Sequence, residues 1–165
     1  MNDEALVPKP RLDIIKPDLV RLKTIWMLCC SMPMFYLVIA HLIRAHIFDG
    51  EQSGFAGLPH AQYNYLLWAL IGLGVACQLV MLGVRMVYGK KLQAAAGNLS
   101  ALIRVYSRRT FIMIGLSETT ALLGFILFLV NGQFPVVFAF GIASMLLYAQ
   151  SYPSERGLAS VARQA

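Results

Sequence analysis

One stretch of the chain, Arg108 to Asn131 (RRTFIMIGLSETTALLGFILFLVN), is long enough and apolar enough to cross a bilayer, yet it carries a carboxylate near its middle. That carboxylate is Glu118, and the nearest charged residue along the chain is Arg109. An ionisable side chain inside a membrane span is costly, so its presence indicates a candidate functional site. The stretch therefore predicts a transmembrane helix with a site at Glu118.

Three further apolar blocks accompany this stretch. Hydrophobic residues make up 58% of the 165 residues and charged residues 13%, whereas soluble domains have about 45–50% and about 25%. We therefore predict an all-α integral membrane protein with one domain of four transmembrane helices, at about 24–48, 63–87, 110–130 and 135–150. Polar tails at 1–23 and 151–165 flank this domain.

The N-terminal tail contains three prolines, which are expected to break any long helix there. It is mixed in charge, and no apolar core with a small-residue cleavage site follows it, so we do not expect a cleaved signal peptide. A short amphipathic helix over residues 12–22 and a loosely ordered tail both remain open for this segment.

The basic residues predict the orientation of the four spans. Of the 14 Lys and Arg residues, 13 precede span one, flank the connection between spans two and three, or lie in the C-terminal tail; only Arg44 falls on the opposite side. By the positive-inside rule, both termini are predicted to be cytoplasmic, in a cell (inner) membrane. This distribution also accounts for the net charge of +6 without a nucleic-acid partner.

Several polar side chains are predicted to lie near Glu118. Glu118 is about 12 Å inside the cytoplasmic end of span three. Gln78 lies nine residues inside the end of span two, so an antiparallel hairpin of the two spans would bring both side chains to similar depths. Together with the hydroxyls of Ser117, Thr119 and Thr120, they could bind H⁺ or Na⁺.

A structural role for Glu118 stays open beside this ion-binding role. A single intramembrane carboxyl can instead hold a helix bundle or a subunit interface together through hydrogen bonds. The residues alone give the two roles equal weight. Small residues that would permit close helix packing occur on spans two and three, namely Gly72, Ala76, Gly115, Ala121 and Gly124.

Residues 115–131 resemble the outer ion-binding helix of the c subunit (proteolipid) of rotary ATP synthases and V-type ATPases. That helix carries the pattern E-x-x-A-[LI]-Y-G, and the residues that fit it here are Glu118, Ala121, Leu122 and Gly124, with Leu123 at the tyrosine position. Sodium-binding members have Gln on the inner helix and E-[ST]-T on the outer one, which Gln78 and Glu118-Thr119-Thr120 match. Spans one and four have no counterpart in a two-helix c subunit.

The resemblance implies H⁺ or Na⁺ binding at Glu118 within an oligomeric translocating assembly, with the lipid bilayer and further subunits as partners. The alternative is a non-catalytic accessory or assembly subunit of a larger membrane complex. An enzyme is not expected, because the sequence has no nucleophile–base pair and no cluster of metal ligands. We expect no cofactor, and we interpret the three cysteines as small apolar residues.

Overall fold

The computed structural model describes residues 9–48 (9–15 as backbone only), 54–56, 58–95, 97–154 and 158. These residues form four α-helices: α1 (Lys9–His46), α2 (His60–Ala95), α3 (Leu99–Asn131) and α4 (Phe134–Ser151). Each helix is long enough and apolar enough to cross a membrane. The shortest, α4, has 18 residues and therefore a length of about 27 Å, close to the thickness of a hydrocarbon core.

The helices extend beyond the predicted spans. Much of the basic connection between spans two and three is helical, because α2 continues to Ala95 and α3 begins at Leu99. The Asn98 side chain caps α3 by accepting a hydrogen bond from the Ala101 amide at 3.2 Å. We call the end of the bundle where α2 ends and α3 begins the basic end, after Lys90, Lys91, Arg104 and Arg108.

The expectation that prolines break the N-terminal tail is wrong for the part that the structure describes. Helix α1 begins at Lys9 and continues through Pro17 and Pro33. Each proline removes one backbone hydrogen bond, but packing supports the helix on the N-terminal side of Pro33. Leu19 and Leu22 are buried in a cluster with Leu92, Leu102 and Tyr106, and this apolar burial offsets the missing bonds. Residues 1–8 lie outside the described part of the chain.

Helix α3 is the centre of the bundle. It packs against α1, α2 and α4, and α1 also packs against α4. Half of the apolar window of α3 is buried, compared with 11% for α1 and 17% for α2. Its buried positions recur at alternating spacings of four and three, at 106, 110, 113, 117, 120, 124, 127 and 131. This period of 3.5 residues is typical of helices that pack at small crossing angles.

The end of α3 opposite the basic end is held by its neighbouring loops. Gly132 has a left-handed conformation (φ 71°), and its amide donates to the Phe128 carbonyl. The Phe55 amide donates to the Leu129 carbonyl at 2.9 Å. At Gly54 a β-carbon would collide with the backbone of Val130, so the close approach of this loop requires glycine.

Large apolar side chains cover the outer surfaces of α1 and α2. Exposed examples on these helices are Met27, Leu28, Phe35, Leu79, Val80 and Met86. A soluble protein rarely exposes a continuous apolar surface of this kind. The pattern suits a hydrocarbon environment, with α3 shielded inside the bundle.

Candidate functional site

The Glu118 side chain leaves α3 toward α1 and α4, and a tyrosine from each helix hydrogen-bonds it. The Tyr36 hydroxyl of α1 donates to Oε1 at 2.5 Å, and the Tyr148 hydroxyl of α4 donates to Oε2 at 2.7 Å. The carboxyl therefore connects three helices, and we call Glu118, Tyr36 and Tyr148 the tyrosine–carboxylate cluster.

Aromatic packing fixes the position of Tyr36. Its ring stacks on Phe125 of α3, with ring centres 5.2 Å apart and 23° between the planes. Phe125 lies seven residues after Glu118, and so on the same face of α3 about two turns away. The stacked ring thus holds the Tyr36 hydroxyl at the level of the carboxyl.

The Tyr148 side chain is fully buried, with none of its surface exposed. The edge of its ring meets Trp26 of α1, with centroids 6.4 Å apart and planes at 82°. Trp26 Nε1 donates to the Tyr148 carbonyl at 3.1 Å and to Ser151 Oγ at 3.2 Å. Trp26 therefore fixes the last turn of α4. It thereby also positions the Tyr148 hydroxyl that donates to Glu118.

A Trp26→Phe variant should destabilise the protein by about 1 kcal/mol, because it removes the indole N–H while leaving an aromatic ring in place. Thermal unfolding in detergent, followed by circular dichroism, would measure the loss. The matched control is Trp68→Phe, since Trp68 is 69% exposed on α2. Equal losses in the two variants would contradict a specific role for Trp26.

Three of the predicted ion ligands have hydroxyls that bond to their own helix. Ser117, Thr119 and Thr120 donate to the carbonyls four residues earlier, at 2.9, 2.9 and 3.1 Å. Ser117 and Thr120 are buried, whereas Thr119 is exposed, so the three hydroxyls do not face one point. The Ser117 carbonyl also accepts from Ser144 of α4 at 2.7 Å.

Gln78 is half-buried on α2. Helices α2 and α3 do pack together, but among the described residues Glu118 accepts its hydrogen bonds from α1 and α4, and none joins it to Gln78. The ligand set of Glu118, Gln78, Ser117, Thr119 and Thr120 therefore stays a prediction. No ion pair involves Glu118 within the part of the chain that the structure describes, and no group of three His, Cys, Asp or Glu residues lies close enough there to hold a metal ion.

The small residues predicted for helix packing divide into two groups. Gly124 of α3 lies directly against Phe140 of α4, and Ala121 is buried. At Gly72 and Gly115, by contrast, an added β-carbon would have no atom within 4 Å, and Ala76 is exposed. Within a single chain, close packing therefore uses the α3–α4 contact rather than the exposed small residues of α2.

Sequence reasoning missed both tyrosines of the cluster. A tyrosine near the end of a span is expected to anchor at the membrane interface, whereas the structure buries Tyr148. A signal for its burial exists, since Val137, Gly141, Ser144, Tyr148 and Ser151 repeat at spacings of four and three. Tyr36 has no comparable signal, because most neighbouring positions of α1 are exposed.

No family model matches this chain, and neither a curated protein nor a solved structure is similar to it.

Proposed function

We propose that the chain is an integral membrane protein that acts as a non-catalytic accessory or assembly subunit of a larger membrane complex, with Glu118 as a structural residue. The observation that carries the structural role of Glu118 is that both of its oxygens accept hydrogen bonds from tyrosines of neighbouring helices. A carboxyl group bonded in this way links α1, α3 and α4. Its oxygens then have fewer free lone pairs with which to bind a mobile ion.

We infer the membrane orientation from the distribution of basic residues. Leu22, Leu92 and Leu102 pack together at the basic end of the bundle. Described basic residues of three helices lie at this end: those in the N-terminal part of α1, at the end of α2 and at the start of α3. We propose that this end faces the cytoplasm, together with both termini. The exposed apolar surfaces of α1 and α2 then face lipid or partner subunits.

Glu118→Gln is the variant that tests this role. Glutamine keeps one carbonyl acceptor but replaces the other oxygen with an N–H donor, so we expect a loss of about 1 kcal/mol in stability. Complexes purified in mild detergent should lose subunits or melt at lower temperature than the wild type. H⁺ and Na⁺ flux in vesicles reconstituted with the complex should be unchanged per intact complex.

A second candidate, ion binding at Glu118 within a translocating assembly, has one observation in its favour. The Glu118 residue is only half-buried, and two phenol oxygens lie beside its carboxyl as further oxygen ligands. This candidate predicts the opposite result for Glu118→Gln, namely lost flux from complexes of normal stability. The same pair of measurements thus separates the two candidates.

A further inference from the structure

A cleft of about 200 Å³ lies between α1 and α3 at the basic end. It is separate from the tyrosine–carboxylate cluster, which lies about four turns further along α1 from Arg21. Both helices run away from the basic end, since α3 begins there and α1 passes Leu19 and Leu22 in the same cluster as Leu102. Residues further along each sequence therefore lie deeper in the bundle.

The charged and hydroxyl residues of the cleft lie toward the basic end, beside Leu22 and Ile103, and the deepest lining residues are apolar. Arg21 of α1 and Arg104 of α3 line it, with Ser100 and Ser107 on the same side of α3 as Arg104. Ile25 and Phe111 line the deeper part. They lie about 6 Å and about 10 Å further along their helices than the two arginines.

The two arginines have free hydrogen-bonding capacity. Both are exposed, and neither forms an ion pair or a hydrogen bond with another described residue. One carboxylate, Asp18, also lines the cleft, about one turn outside Arg21. The described lining therefore carries a net positive charge of one, with the cations on the membrane side of the carboxylate.

An apolar path continues from the cleft along the outer surface of the bundle. Leu28 and Met32 follow Arg21 and Ile25 on one face of α1, and both are exposed. On α3, Gly115 follows Phe111 at helical spacing and has open space around it. A hydrocarbon chain could lie in this shallow path beside α1 and α3.

We propose that this cleft binds one anionic phospholipid, with its phosphate between Arg21 and Arg104 and its acyl chains along Ile25 and Phe111. Guanidinium groups bind phosphate oxygens through paired N–H donors, and basic pockets between membrane helices bind anionic headgroups in the same way. The serine hydroxyls supply further donors to the phosphate or glycerol oxygens. The inference rests on the membrane location proposed above but not on the role of Glu118.

Native mass spectrometry of the delipidated protein, titrated with phosphatidylglycerol or phosphatidylcholine, tests the site. The wild type should bind phosphatidylglycerol at least about tenfold more tightly than phosphatidylcholine. Replacing both arginines (Arg21→Gln with Arg104→Gln) should weaken phosphatidylglycerol binding about 30-fold. The charge-matched control, Lys90→Gln with Lys91→Gln at the same end of the bundle, should keep wild-type binding.

Four results would overturn the proposal. Equal binding of the two lipids by the wild type would show that no headgroup site exists, whereas binding of neither lipid would contradict the membrane location itself. Equal losses in the arginine and lysine variants would show attraction to surface charge only. Displacement of phosphatidylglycerol by millimolar inorganic phosphate would assign the cleft to a free anion. Circular dichroism of each variant would verify that its helices are intact.

Discussion

Gly124→Ala should destabilise the bundle by about 1–3 kcal/mol, although the change adds only one methyl group. A β-carbon at this position collides with the Phe140 β-carbon and would lie 2.8 Å from Phe140 Cγ. The Cβ atom of Phe140 is fixed to the α4 backbone, so a rotamer change cannot relieve the overlap, and α3 and α4 must move apart. That movement also disturbs the hydrogen bond between Ser144 and the Ser117 carbonyl.

Gly115→Ala is the matched control, because it makes the same change on the same helix where no atom lies within 4 Å. It should leave stability unchanged or raise it by up to about 1 kcal/mol through the helix propensity of alanine. Thermal unfolding of both variants in detergent gives the comparison. Phe140→Ala should rescue Gly124→Ala only in part, since the β-carbon at 140 remains. Equal stability of the two glycine variants would contradict the close α3–α4 contact.

The number and type of helices could be predicted from the sequence, because each span has a long apolar stretch that hydropathy detects directly. The continuity of α1 through Pro17 could not. A proline breaks a helix unless tertiary packing offsets the lost hydrogen bond, and here the compensation comes from Leu92 and Leu102, more than 70 residues away in the sequence.

Glu118 could be selected from the sequence, because a carboxylate in an apolar stretch has few ordinary explanations. Its partners could not be predicted in the same way. Hydropathy places spans in the membrane but does not give their rotation about the helix axis. Gln78 was therefore chosen from its depth and from the resemblance to the inner helix of sodium-binding c subunits. The structure turns Glu118 toward α1 and α4, where Tyr36 and Tyr148 lie.

The buried face of α3 shows why rotation was hard to predict. Its repeat contains polar and small residues beside apolar ones, including Thr110, Ser117, Thr120 and Gly124. In a bilayer the lipid-facing side is as apolar as the core, so hydrophobicity does not distinguish the two sides. The side that faces the other helices is indicated instead by small and hydroxyl residues that recur every 3.5 residues.

Glu118→Leu should be the most destabilising change at the tyrosine–carboxylate cluster, at about 2–4 kcal/mol. The variant removes the acceptor for two phenol hydroxyls at once, and Tyr148 is fully buried, so its hydroxyl cannot turn to water. Unfolding would be followed by the fluorescence of Trp26 in a Trp68→Phe background, where Trp26 is the single tryptophan left. Because Trp26 contacts Tyr148 directly, its emission reports on this cluster.

Replacing the whole cluster gives the decisive comparison. The triple variant Glu118→Leu, Tyr36→Phe and Tyr148→Phe leaves no unpaired donor, because both hydroxyls are removed together with their acceptor. Since a buried polar group is costly mainly when its partner is lost, we expect the triple variant to recover most of the stability lost in Glu118→Leu. If the triple variant were instead less stable than Glu118→Leu, each side chain would contribute to stability independently. The stabilising role of Glu118 would then not come from its hydrogen bonds with the two tyrosines.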